Sequence, residues 1–320
     1  MRKLVDDLGR RIDYLRVSVT DRCNLRCQYC MPADGISLKE HEDILELEEI
    51  AKIAEIGKEL GIKKIRLTGG EPLVRLGIEN LIRSLNKIGF EDISMTTNGV
   101  LLSKKADKLK KAGLDRVNIS LDTLDKEKYK EITRRDHFED VMSGIKTALN
   151  YGFSPVKLNV VVINGFNDEE LLDFAQLTKD KKLHVRFIEY MPLGGKVEKE
   201  KYINMKEVKE KLISKLSLQK TYTKGNGPAK YYKLPESKGS VGFISAISEH
   251  FCSGCNRFRL TADGKFRPCL ARDMEVKIDD LSRKGIEKAY EKALEIKPMS
   301  HNLNSEFEKE RERTMSQIGG

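Results

Sequence analysis

Two groups of three cysteines constrain this chain more than any other feature. Cys23, Cys27 and Cys30 stand at C-x3-C-x2-C, and Cys252, Cys255 and Cys269 at C-x2-C-x13-C. A disulfide framework fits poorly. The segment Met1–Asp7 has no apolar signal region, and structural disulfides are rare in reducing compartments. A closed zinc site needs a fourth ligand for each triplet. His250, just before Cys252, and His41, the histidine nearest the first triplet, are the candidates. Three thiolates on a four-iron cluster instead leave one iron open to a cofactor or substrate. Clustered triplets therefore point to metal, and two triplets to two centres.

The remaining composition narrows the partner. Lys+Arg exceeds Asp+Glu by 59 to 50, a net charge of +9, which favours an anionic ligand: nucleic acid, a membrane surface or a phosphorylated small molecule. With no Trp and 7% aromatic residues, there is little surface for stacking bases. No run approaches the ~20 apolar residues of a membrane span. A soluble, cytoplasmic protein is expected. A chain of 320 residues suits one large domain with an extension.

Short apolar segments alternate with helical patterns after the first triplet. Leu15–Val19, Lys64–Thr68, Asp92–Thr96, Arg116–Ser120, Val156–Val162 and Leu183–Glu189 read as strands buried on both faces. Glu46–Leu60 and Phe138–Tyr151 carry apolar stripes at helical spacing, and Gly61, Gly89, Gly113 and Gly152 fit helix ends. Six such units predict an α/β fold, a partial (βα)6 TIM-type barrel over residues 1–200. Its site would lie at the C-terminal strand ends. Lys196–Tyr202 reads as a charged linker. Residues 201–320 read as an α+β extension with helices at Asn204–Leu216 and Asp279–Ile296.

The second triplet carries a local concentration of charge. Between Cys252 and Arg272 lie Arg257, Arg259, Lys265, Arg267 and Arg272 against the single acid Asp263. Leu260–Phe266 reads as a hairpin with an Asp263-Gly264 turn. Arg257 and Arg259 then share one strand face, where paired guanidinium groups suit a phosphorylated ligand.

The segment Asp21-Arg22-Cys23-Asn24-Leu25-Arg26-Cys27-Gln28-Tyr29-Cys30 resembles the signature of radical S-adenosylmethionine enzymes. Thr68-Gly69-Gly70-Glu71-Pro72 resembles the segment of that family that contacts the methionine amino group. Cys-Asn-Arg-x-Arg-Leu-Thr-x-Asp-Gly from Cys255, the block Leu15–Cys23 and the closing Gly319-Gly320 resemble one branch of it. That branch comprises the lyases that rearrange GTP in the first step of molybdenum cofactor biosynthesis. The likeness covers nearly the whole chain, and a Phe common in that branch is replaced by Leu8.

The resemblance implies two [4Fe-4S] clusters, on Cys23, Cys27 and Cys30 and on Cys252, Cys255 and Cys269, the open iron of the second binding guanine. It implies S-adenosyl-L-methionine on Tyr29, Gly70, Ser120 and Met191. GTP would be held by Arg16, Lys64, Arg66, Thr97, Lys157, Arg186, Arg257, Phe258 and Arg259. Arg257, Arg259, Gly319 and Gly320 would act in catalysis, with the double-glycine tail in the active site. The implied partners are GTP, an electron donor of unspecified kind and a downstream cyclic pyranopterin monophosphate synthase. Neither nucleic acid nor a membrane is expected, and the chain would be a monomer or homodimer. The alternatives are a peptide-modifying enzyme of the same superfamily and a zinc-containing nucleic-acid-binding protein.

Overall fold

The computed structural model describes residues 4–191, 193, 199–225, 227–301, 303 and 313–319. Six parallel strands run in chain order: β1 (Tyr14–Ser18), β2 (Lys64–Thr68), β3 (Asp92–Thr97), β4 (Arg116–Ser120), β5 (Val156–Val162) and β6 (Leu183–Glu189). Helices α1 (Leu47–Glu59), α2 (Ile78–Ile88), α3 (Leu102–Ala112), α4 (Lys126–Thr133), α5 (Phe138–Asn150) and α6 (Leu171–Asp180) connect them. In α2 the stripe Ile78, Leu81, Ile82 and Leu85 is buried, as its spacing dictates. Gly89 and Gly113 end α2 and α3 in the left-handed conformation that lacks a Cβ penalty.

The strands are not apolar on both faces. Leu15, Val17, Ile65, Leu67, Ile93 and Met95 belong to the hydrophobic core. The alternate residues Tyr14, Arg16, Arg66, Thr96, Ser120, Asn159 and Arg186 line a cavity. A period-two pattern was therefore hidden inside short strands whose charged residues are buried too.

The chain beyond residue 200 adds strands to both edges of the same sheet. β9 (Ser240–Ile244) pairs parallel with β6, and β10 (Arg257–Leu260) pairs parallel with β1. β7 (Gln219–Thr221) and β8 (Lys230–Lys233) extend one edge, and β11 (Lys265–Arg267) and β12 (Val276–Lys277) the other. β10, the turn at Gly264 and β11 form the expected hairpin. β9 escaped the sequence reading because it is short and broken by Gly242. Part of the expected linker, residues 196–198, lies outside the described residues, and Lys199–Lys201 form one 3-10 turn. Helix α7 (Met205–Leu216) starts at Asn204, whose side chain accepts from the Lys206 amide. Helix α8 (Arg283–Glu295) begins later than expected, at the Ser282 cap. Among the described residues no helix is long and apolar enough to cross a membrane.

One buried carboxylate fastens the extension to the barrel. Glu189, at the end of β6, accepts from the amides of Ile247 (2.6 Å) and Ser248 (3.0 Å) and from the Tyr202 hydroxyl (3.0 Å). These donors come from two separate stretches of the extension's chain, around Tyr202 and at Ile247–Ser248. Replacing Glu189 by Leu is expected to cost roughly 2–4 kcal/mol of stability. It should also speed amide exchange at Ile247 and Ser248. Unchanged exchange at those amides would remove Glu189 from this role.

Candidate functional site

The first cysteine loop leaves β1 and is held by backbone on two sides. The Gly70 amide donates to Thr20 O and the Glu71 amide to Arg22 O, both at 2.8 Å. A Cβ on Gly69 would stand 2.4 Å from Thr20 O, and one on Gly70 2.4 Å from Arg22 O. Both glycines are thus required by close approach to the loop. On the other side, Arg26 and Gln28 amides donate to Thr133 and Ile132 carbonyls at the end of α4.

Glu71 and Asp122 organise this end of the cavity. Glu71 accepts from the Thr97 hydroxyl (2.7 Å), the Asn98 amide (2.6 Å) and the Leu73 amide (2.9 Å). Burial pushes its carboxyl up to about 7, against those hydrogen bonds. Asn98 Nδ2 in turn lies 3.9 Å from Cys23 Sγ. Asp122, pushed up to about 6 by burial, accepts from the Tyr29 hydroxyl at 2.7 Å and from the Val161 amide at 2.8 Å. Neither carboxylate had been given a role from sequence. Glu71 sits inside the quoted motif, and Asp122 lies two residues beyond the end of β4.

All six cysteines are free thiols and line one cavity of about 310 Å³. In the chain alone, burial pushes Cys23 up to about 11 and Cys30 up to about 12, with Cys27 well above its usual range. Cys255 behaves oppositely. Burial raises it, but Arg257 and Lys297 outweigh that and bring it down to about 7. Three soft donors facing shared space at each end suit an iron–sulfur cluster, with one iron left free of protein. The chemistry of the donor sets therefore fits both clusters.

The strand register then assembles the cations. Arg259 on β10, Arg16 on β1 and Arg66 on β2 stand abreast, with Ser94 of β3 next in the row. Arg66 donates to Ser94 Oγ (3.3 Å) and lies 5.4 Å from the Tyr14 ring. Arg186 is oriented by Asn118 (2.7 Å) and Asn159. Arg66 and Arg186 also line a second cavity of about 380 Å³, beside Lys157, Lys220, Lys230 and Tyr231. Of the described residues lining the two cavities, Asp122 alone carries a carboxylate. Arg116, nearby, is matched by Asp92 through two hydrogen bonds. Burial, reinforced by Arg186, Arg116 and Arg66, drives the Lys157 ammonium down to about 6. Arg259 is lowered to about 9 by burial, Arg257 and Arg267, and Arg16 falls well below its usual range through burial, Arg259 and Arg66. Guanidinium groups do not release their protons in proteins, so these shifts reflect burial first and then repulsion, both of which an anion would relieve.

Arg16, Tyr29, Arg66, Gly70, Thr97, Ser120, Arg186, Met191, Arg257 and Arg259 line the cavity with the cysteines, and Lys157 lines its neighbour. Lys64 lines neither and sits partly exposed at the start of β2. Phe258 is a correction. Side-chain alternation turns it away from Arg257 and Arg259 into the core, where it meets Phe266. The phenylalanine that does line the cavity is Phe251, with the Arg257 guanidinium 5.2 Å from its ring. Thr97 spends its hydroxyl on Glu71, whereas the buried hydroxyl of Thr96, also lining the cavity, has no partner among the described residues.

The tail enters this region. Helix α9 (Met315–Ile318) ends at Gly319, whose φ is +71°. Arg259 donates to the Ile318 carbonyl at 3.3 Å and to that of Gly319. A Cβ on Gly319 would meet Thr68 Cγ2 at 2.8 Å, so crowding and conformation both call for glycine. Arg313, before α9, is paired with Asp263 (2.8 Å) and Glu275 (2.6 Å). Gly320 lies outside the described residues.

The close approach at Gly70 generates a test. Gly70→Ala must push back the loop that carries Cys23, so the first centre should be lost while the second remains. Iron in the reconstituted variant should fall to about half, from about eight per chain. Full iron loading would show that the loop tolerates the displacement.

Residues 17–178 match the Radical SAM superfamily and residues 183–303 match Molybdenum Cofactor Synthesis C. The chain is 56% identical to the GTP 3′,8-cyclase of Petrotoga mobilis, over 99% of this chain and 100% of that protein. It is 50% identical to the GTP 3′,8-cyclase of Alkaliphilus oremlandii, over 98% and 99%. Among solved structures, Streptococcus suis SuiB bound to precursor peptide SuiA is similar at a TM-score of 0.63. That match has 15% identity over 96% of this chain and 70% of that one. The structure of anSMEcpe with bound AdoMet gives 0.60 and 18% identity, over 92% and 79%. At such identity these two structures show a shared fold alone. Sequence identity across essentially the full length goes further: the chain belongs to the GTP 3′,8-cyclase family of the radical S-adenosylmethionine superfamily.

Proposed function

We propose that this chain converts GTP to 3′,8-cyclo-7,8-dihydro-GTP, the first step of molybdenum cofactor biosynthesis. The observation that carries this reading is the row Arg259, Arg16 and Arg66, the outer two buried and Arg16 partly so, in a cavity that both cysteine triplets line. A buried cation row needs a polyanion, and a nucleoside triphosphate supplies one. Cys23, Cys27 and Cys30 would hold one [4Fe-4S] cluster, with S-adenosylmethionine beside it against Tyr29, Gly70, Ser120 and Met191. Cys252, Cys255 and Cys269 would hold the other, with guanine at its open iron. When bound, these groups supply the electron and the carbon radical that removes hydrogen from C3′ of the ribose.

The protein's own contribution is placement. Arg16, Arg66, Arg257 and Arg259 hold the triphosphate, with Lys157 and Arg186 at the adjoining basic cavity. Fixing the phosphates at one side and the base at the other leaves the ribose no freedom to turn, an orientation effect worth up to ~7–11 kcal/mol in well-aligned systems. Arg259 also fixes the Gly319 end of the tail. One side chain thereby links substrate binding to closure of the cavity. Asp122 sets the angle of Tyr29 through its hydroxyl.

Anaerobic incubation with GTP, S-adenosylmethionine and a reductant should yield a nucleotide of unchanged mass that bears the new C3′–C8 bond. Recovery of unaltered GTP alongside cleaved cofactor would count against the reading. Replacing Arg257 and Arg259 together by Ala should lower cyclisation roughly 10²-fold or more, through loss of buried charge-assisted contacts. Cleavage of S-adenosylmethionine should persist. Normal cyclisation in the double variant would sink their assignment.

Lys157 gives a pH signature. Its folded pKa of about 6 lies below that of the unfolded chain. The unfolded chain therefore holds an extra proton from about pH 6 up to the ordinary ammonium range. Stability rises with pH across that window and is flat below it. A bound triphosphate restores the ammonium, so GTP binding at pH 8 should take up about one proton. Calorimetry in buffers of different ionisation enthalpy measures this, and Lys157→Met should abolish it. Identical uptake in that variant would move the signature to another group.

A further inference from the structure

A lysine far from either cysteine motif is built into the second triplet. Lys297 follows α8 and is 9% exposed. Its ammonium donates to Pro268 O at 2.7 Å, to Arg257 O at 3.0 Å and to Cys255 Sγ at 3.6 Å. An ammonium has three donors, and these three contacts use all of them. They also join the two arms of the triplet, since Pro268 adjoins Cys269 while Arg257 follows Cys255. The backbone behind the lysine is pinned in turn. Arg10, paired with Asp6 at 2.6 Å, donates to the carbonyls of Pro298 (2.9 Å) and Met299 (3.4 Å), and also to Cys252 O (3.1 Å). The first triplet is treated differently. The side-chain donor at Cys23 Sγ is the neutral amide of Asn98, at 3.9 Å.

We infer that Lys297 is a positioning residue of the second cluster: it fixes the spacing of the two cysteine arms and, by its charge beside Cys255, holds that cluster at a higher reduction potential than its ligands alone would give. The physics is direct. Reduction adds negative charge to the cluster, and a fixed cation against a ligating sulfur favours the more negative state, the more so in a buried site. The ammonium cannot swing away, because both carbonyls restrain it. The consequence falls on one cluster alone. This inference rests on the reading of Cys252, Cys255 and Cys269 as cluster ligands.

The test uses the full chain, reconstituted anaerobically with iron and sulfide. It is titrated with dithionite through redox mediators and followed by electron paramagnetic resonance. Lys297→Met should move the midpoint of the second cluster to lower potential and leave that of the first unchanged. Lys297→Arg, which keeps the charge, should stay near the parent value. An unchanged midpoint in Lys297→Met, or equal shifts in both variants, overturns the inference. If Lys297→Met fails to take up the second cluster, Lys297→Arg decides. Uptake with the parent potential supports the inference, and loss in both variants overturns it. The ligand reading has its own control in Cys255→Ala, where retention of both clusters would reject that reading whatever Lys297 does.

Discussion

A row of positive charge set into the wall of a cavity governs this molecule. Arg16, Arg66 and Arg259 lie side by side on three hydrogen-bonded strands, and Lys157 and Arg186 stand further round the same wall. Nothing in ordinary core packing rewards such an arrangement, since each cation gives up water and gains like-charged neighbours. The barrel supports it by rigidity. Outward residues such as Leu15, Val17, Ile65 and Leu67 lock the strands to the helices, and the inward residues have to accept the positions that result. The stability lost here is recovered when a polyanion binds, so the apolar outer face and the basic inner face are two sides of one device.

The extension completes that device from both sheet edges. β10 brings Arg259 to Arg16, and β9 sets Gly242 opposite Arg186. A side chain at Gly242 would stand 2.8 Å from the Tyr231 ring, which itself lies 5.2 Å from the Lys157 ammonium. The second triplet arrives at the cavity on the segments that flank β10 and β11, so its position relative to the first triplet follows from the register of β10 on β1.

Local patterns made much of this legible. The cysteine spacing marked six thiols that line one cavity, the Thr68–Pro72 run marked the turn beside the first three, and six apolar segments marked the parallel strands. Alternation from Arg257 placed Arg259 on its face; the same rule removes Phe258 from that face. Pairings across the chain were not legible. Nothing near Ser240–Ile244 says that it joins β6. The contact of Lys297 with Cys255 spans 42 residues. Thr96 and Thr97 are equivalent as letters, and only the β3 register and the Glu71 carboxylate distinguish their hydroxyls. Tyr29 pairs with Asp122 through tertiary geometry alone.

The register of β1 has a consequence for how the protein is made. Arg16 is matched with Arg259, a residue that is synthesised 243 positions later. During translation the barrel strands emerge first, from the amino end, and the edge of β1 waits with its hydrogen-bonding groups exposed. Contacts of such long sequence separation form slowly and leave a nascent sheet open to wrong partners. The charge on Arg16 works against that hazard, because a cation on an exposed edge strand disfavours pairing with a second copy, whereas Arg66 on β2 is already flanked by β1 and β3. The residue that stands abreast of Arg259 in the finished sheet thereby also guards the unfinished one.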